Sequence, residues 1–371
     1  MTSNLGHAAG SLLVVGLAGT ELTGIERAWL KLIRPSGIIL FRRNIAEPRQ
    51  TRALLNEATA SCSPHSLRCV DVEGGVVDRL RDALAPIASA RAIATAAERT
   101  GKISLIREHG ELVARAVKAF GFNTTLAPVL DLALPASVKV MGTRSPASTT
   151  QGVVEYGRGF LSGLAAHGIM GCGKHFPGLG GGTLDSHIDT PSIPRTMSEL
   201  TREDLVPYQE LRNDLPMIMV NHAAYPNTPA GNHPASVSAY WITNILRKRI
   251  GYKSIIFSDD LEMGGILNSM SIEEAAIATV RAGMDLMEIC HSPELILRAY
   301  ESLVTEAERS PVFRNLLLSR SREAALKRKK FFDGSESRAL SPSQFESLRT
   351  RILRFGETVA KAQDAFEVQP A

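Results

Sequence analysis

Cysteine is scarce in this chain: there are four among 371 residues, and none sits in a C-x-x-C pair or within a zinc-ligand pattern. That excludes a disulfide framework and a thiolate metal site, and leaves Cys62, Cys69, Cys172 and Cys290 as buried free thiols. Charge of one sign is lacking too. The 42 basic and 38 acidic residues leave a net charge of +4, too small an excess to mark a nucleic-acid surface. Long apolar runs are also missing. Residues 11–16 (SLLVVG) fall far short of the ~20 residues a membrane helix needs, and no Lys or Arg precedes them as in a secretory signal. They read as a buried first strand, so a cytoplasmic protein without a membrane partner is expected, and a monomer. There is no internal repeat, and the glycines at Gly178, Gly180, Gly181 and Gly182 lack the Lys-Ser/Thr of a phosphate loop, so no nucleotide cofactor is implied.

Short apolar runs, each followed by a helical pattern, suggest parallel strands joined by helical crossovers. Eight can be counted: residues 11–16, 37–41, 68–72, 123–126 with 127–130, 169–172, 217–220, 254–257 and 285–289. Between them lie stretches such as 105–120, where Leu105, Leu112, Val113, Ala116 and Phe120 recur near helical spacing. Eight alternations predict an α/β fold closed into a (β/α)8 barrel over residues 1–292. Residues 293–371 then form a C-terminal helical extension packing on the barrel, with a last helix over about 343–364 and a loose tail. The basic run at 327–330 reads as a helix end, where cations complement the carbonyl dipole.

In such a barrel the reacting groups sit at the C-terminal ends of the strands. Asp71, Glu73 and Arg79 lie in or after the third run, Arg144 after the fourth, Lys174 and His175 after the fifth, His222 after the sixth, and Asp259 with Asp260 after the seventh. Converging charged donors and acceptors of this kind suit a polyhydroxylated ligand. Residues 174–191 (KHFPGLGGGTLDSHIDTP) have the make-up of a lid loop. Within it Asp185 stands two residues from His187, a spacing at which a carboxylate can hold one ring nitrogen and leave the other for proton transfer. An isolated D-x-H is more often a turn cap beside an ordinary histidine. At 255–261 (IIFSDDL) a carboxylate ends a strongly apolar strand. One of Asp259 and Asp260 can cap the next helix while the other faces a substrate, and spacing alone does not say which.

Together these residues resemble glycoside hydrolase family three, and within it the single-domain β-N-acetylhexosaminidases of the NagZ type. The resemblance rests on GIILFRRNI at 37–45, DVEGG at 71–75 with Arg79, NTTLAPVLDL at 123–132, KHFPG at 174–178, Asp185 to His187, and SDDLEM at 258–263, in order along successive strands. It implies that Asp259 is a nucleophile forming a glycosyl-enzyme intermediate and that His187, supported by Asp185, is the general acid/base. It also implies that Asp71, Arg79, Arg144, Lys174 and His175 hold the sugar, and that the substrate is a peptidoglycan fragment ending in β-linked N-acetylglucosamine, processed in cell-wall recycling. His175, His187 and His222 lie in different sequence contexts and the nearby carboxylates have other roles, so no metal or other cofactor is expected. A retaining glycosidase normally flanks the bond with two carboxyl groups. Imidazole can replace one because it titrates near neutrality, and its neutral form would tolerate an incoming anion such as phosphate. Leu179 departs from the family's PGHG loop, and Pro146 and Glu262 are further departures, bearing on specificity.

Three other readings stand beside this one. A single-domain β-glucosidase or broad exo-β-glycosidase of the same family would share the chemistry. A catalytically silent sugar-binding protein would keep the pocket without turnover. Lys174, just past a strand, could also be the Schiff-base lysine of an aldolase.

Overall fold

The computed structural model describes residues 2–182, 191–332 and 339–364. Eight parallel strands close into the expected barrel: β1 (Leu13–Gly16), β2 (Gly37–Leu40), β3 (Leu67–Val70), β6 (Thr124–Thr125), β7 (Met170–Phe176), β8 (Met217–Val220), β9 (Ile255–Asp260) and β10 (Leu286–Ile289), with β10 pairing back onto β1. Nearly every strand residue is buried, because helices cover the outer face and side chains fill the inner one. That is why these segments read as continuous apolar runs rather than as alternating ones. A two-stranded antiparallel hairpin, β4 (Val72–Gly74) and β5 (Val77–Asp78), rises from the end of β3 outside the barrel sheet.

Several boundaries differ from the sequence reading, each for a local reason. Strand β7 runs on to Phe176, so Lys174 and His175 lie within it and not after it. Its pairing with β8 shifts between Gly173 and Phe176, which breaks the plain in-out alternation there and lets both side chains reach the cavity described below. Gly171 faces a crossover helix, where a Cβ would lie 2.8 Å from Leu161 and from Leu164, and a Cβ on Gly173 would lie 2.6 Å from Leu215 and 2.8 Å from Leu130 in the flanking loops. A helix, Thr2–Gly10, precedes β1 and was not legible from its glycines. Those glycines are packing positions, since a Cβ on Gly6 would meet the Tyr300 hydroxyl at 2.5 Å and one on Gly10 the Ile33 carbonyl oxygen at 1.7 Å.

After β10 come helices Pro293–Arg309, Pro311–Phe332 and Pro342–Asp364. The basic run at 327–330 does end a helix, and while Lys329 and Lys330 are exposed, its first two residues turn inward. Lys327 places Nζ 2.9 Å from both Asp285 carboxylate oxygens, and Arg328 is fully buried. Asp285 also accepts the Ile256 backbone N–H and bonds Arg247, which ties β9, the start of β10 and helix Pro311–Phe332 together beneath the barrel. Among the described residues no helix is long and apolar enough to cross a membrane.

Candidate active site

A cavity of about 150 Å³ opens at the C-terminal ends of the strands, lined by Asp71, Glu73, Arg79, Arg144, Lys174, His175 and Asp259. A larger groove of about 500 Å³ lies between helix Ala90–Thr100 and residues 146–155. Convergence of charge, not volume, marks the smaller one as the candidate site.

Its walls are built by ion pairs between distant parts of the chain. Lys174 places Nζ 2.9 Å from Asp71 Oδ1 and 2.7 Å from Glu73 Oε1. Arg144 grips Glu73 with two parallel bonds, Nε to Oε2 and a terminal NH2 to Oε1, both 2.8 Å. Burial works to raise the Glu73 pKa, but Arg144 and Lys174 outweigh it and hold the carboxyl well below its usual range. The same acids hold Lys174 and Arg144 protonated despite burial. Arg79 sits 3.9 Å from Asp71 Oδ2 and lies over the Phe41 ring. A lysine charged this firmly is a poor Schiff-base nucleophile, which removes the basis of the aldolase reading.

Glu73 reaches this network because Gly74 and Gly75 turn the hairpin with φ of +86° and +63°, in the region that favours glycine. A Cβ on Gly74 would sit 2.1 Å from the Ala88 carbonyl oxygen.

His175 places Nδ1 2.7 Å from Asp131 Oδ2, while Nε2 faces an Arg144 nitrogen at 3.3 Å. Arg144 can only donate, so Nε2 accepts from it, while Nδ1 donates its hydrogen bond to Asp131. Asp131 also accepts the backbone N–H of His175 at 3.1 Å and of Leu179 at 2.7 Å, fixing the start of the loop after β7. Sequence reasoning quoted Asp131 within 123–132 but gave it no role. Its signal was the same as that of Asp259: a carboxylate closing an apolar run.

The adjacent aspartates divide their work. Both line the cavity, but Asp260 is buried and its Oδ1 accepts the Glu262 backbone N–H and closes the turn, whereas Asp259 is half-buried and more open to the cavity. Burial raises the pKa of Asp259, yet His222, His175 and Lys174 together hold it below the usual carboxylate range. Asp260 is pushed up to about 8 by burial, Glu262 and Asp259. His222 does not line the cavity. Its Nδ1 meets Ser236 Oγ at 2.7 Å and its Nε2 the Asp260 carbonyl oxygen at 2.9 Å, so it braces the end of β9 from behind.

The departures from the family pattern take separate places. Leu179 lines the cavity, Pro146 lines the larger groove instead, and both Glu262 oxygens accept backbone N–H groups, from His291 and Ser292. Glu262 thereby joins the loop after β9 to the start of helix Pro293–Arg309. Asp260, Glu262 and His291 are the one metal-compatible grouping among the described residues. Their lone pairs are committed elsewhere: Arg43 donates to His291 Nδ1 at 3.0 Å, which leaves the proton on Nε2, facing Asp260 Oδ2 at 3.6 Å. Asp185 and His187 lie outside the described residues.

Comparison with known proteins finds matches in both sequence and fold. A sequence profile described as the glycosyl hydrolase family 3 N-terminal domain matches residues 9–312. A beta-hexosaminidase of Alkalilimnicola ehrlichii is 37% identical over 287 residues, spanning 76% of this chain and 82% of that protein. Native NagZ from Neisseria gonorrhoeae superposes with a TM-score of 0.74 at 27% identity, over 95% of this chain and 97% of its own. A family 3 β-N-acetylglucosaminidase from Paenibacillus sp. gives 0.83 at 28%, over 95% of this chain and 68% of its own.

Proposed function

Since the chain belongs to glycosyl hydrolase family 3 and is a glycoside hydrolase, we propose that it is a retaining exo-glycosidase that removes terminal β-linked N-acetylglucosamine, acting as a cytoplasmic monomer on peptidoglycan fragments during cell-wall recycling. The supporting observation is Asp259: a carboxyl kept ionised by three cationic or imidazole neighbours, at the wall of a cavity sized for one sugar ring. The names of the relatives point to the 2-acetamido sugar.

Asp259 attacks the anomeric carbon as the bond to the leaving oxygen breaks, and that oxygen takes a proton from His187, whose ring Asp185 orients. The product is an ester between the sugar and Asp259. Water, giving its proton to His187, then attacks the same carbon and frees the carboxylate. Asp71, Arg79, Arg144, Lys174 and His175 hold the sugar hydroxyls meanwhile. Because His187 is neutral when the second step begins, phosphate competes with water there, and product analysis with and without phosphate reads this directly.

Turnover of an aryl β-N-acetylglucosaminide tests the reading. Asp259→Ala loses a thousandfold or more, on the order of other nucleophile deletions. His187→Ala loses roughly a hundredfold on a poor leaving group and far less on a dinitrophenolate, which needs no proton. Undiminished turnover in Asp259→Ala sinks the mechanism. Faster turnover of the matching β-glucoside would move the enzyme to the β-glucosidase reading.

A further inference from the structure

Glu288 takes no part in the mechanism above, yet it lies on the cavity floor. It belongs to β10, in register with Asp260 of β9, and is only 3% exposed. Its Oε2 is enclosed and has no hydrogen-bond partner. Leu126 and Met219 are apolar members of the same lining. The charged groups facing it are Asp260 and Asp259 from β9, Asp71 from the end of β3 and Lys174 from β7, and the thiols of Cys69, Cys172 and Cys290 complete its surroundings. Lys174 is the only cation among them, and Asp71 and Glu73 already share it.

Resting on the assignment of Asp259 as nucleophile, we propose that Glu288 is a positioning residue for it: a carboxylic acid that keeps its proton and presents an O–H donor on the cavity floor beside the Asp259 carboxylate. A buried, unpaired carboxylate next to three others is costly, and taking a proton removes the cost while creating an O–H donor among those carboxylates. Burial first, then Asp260, Asp259 and Asp71, push its pKa well above the usual carboxylate range. Loss of that proton would set a second anion against Asp259 and draw the Lys174 ammonium away from Asp71 and Glu73. The acid form is therefore the competent one, and activity falls as pH rises through its ionisation.

The test follows glycosylation on a dinitrophenyl β-N-acetylglucosaminide, which removes the His187 proton from the rate. In wild type kcat/KM falls on the alkaline side. Glu288→Gln keeps an N–H donor that does not ionise, so it stays within about threefold of wild type near pH 6 and loses the alkaline fall. Glu288→Leu keeps the bulk without the donor and lowers kcat by about ten- to a hundredfold, the worth of a hydrogen bond to a charged group. Asp260→Asn keeps the alkaline fall, displaced to lower pH because one facing anion is gone. A fall that survives in Glu288→Gln and vanishes in Asp260→Asn overturns the proposal, as does Glu288→Leu at wild-type kcat. Mass-spectrometric trapping of the glycosyl ester separates this failure from that of the parent assignment: label on Asp259 with unaltered kinetics refutes only Glu288, whereas label elsewhere refutes the nucleophile.

Discussion

Asp131 does three jobs with one carboxylate: it sets the proton on His175, holds that residue's backbone, and anchors Leu179. Asp131→Asn preserves the shape but presents an N–H to Nδ1, which moves the ring proton to the face that meets Arg144. A fall of roughly tenfold or more in kcat/KM is expected, the worth of one or two hydrogen bonds, with the melting temperature far less affected; unchanged kinetics would show that the tautomer does not matter. At this scale the sequence was informative about residue types and poor about direction. Asp71, Glu73, Arg144, Lys174, His175 and Asp259 converge as their strand-end positions suggested. The role of Asp131 was hidden because its partner stands 44 residues away. His222 looked equivalent to His175, but which way a strand-end side chain turns depends on register with neighbouring strands, and Ser236 and the Asp260 carbonyl hold it behind the wall.

At the scale of elements, the hairpin β4–β5 carries Glu73 and leans on a buried histidine. His109, on helix Ser104–Ala119, is fully enclosed, meets the Tyr156 hydroxyl at 3.1 Å and lies close under Gly74. Burial lowers its pKa to about 3. In the unfolded chain it titrates near 6.5, so the unfolded state takes up the proton first, and stability present above that value is lost as pH falls toward the folded pKa. By pH 5 this amounts to about 2 kcal/mol. Urea midpoints at pH 7 and pH 5 should therefore differ less in His109→Asn than in wild type, and equal differences would remove His109 as the cause. The hairpin itself was only half legible. The pair Gly74-Gly75 announced a turn, but strands of three and two residues carry too little pattern to be seen, as β6 also shows.

Over the whole molecule, eight apolar runs sufficed to indicate a barrel, because burial on both faces leaves a signal that survives boundary errors. What pins its lower end was not visible: a basic run beside a helix end looks alike whether it meets water or Asp285. Arg328 is the costly member, enclosed with none of its guanidinium nitrogens hydrogen-bonded, and burial lowers its pKa to about 10. Arg328→Met keeps the stem and sheds the charge, so a gain of about 1 kcal/mol or more in unfolding free energy is expected from denaturant titration; a loss would mean that the guanidinium has a favourable role here. Glu262 carries the last consequence. Its cap can form only when the backbone of His291 and Ser292 is docked beside the seventh strand of the barrel. A growing polypeptide released from the ribosome only as far as Met263 holds Asp259 but not this brace. On the proposed mechanism, competence to cut sugar thus arrives with the closing strand.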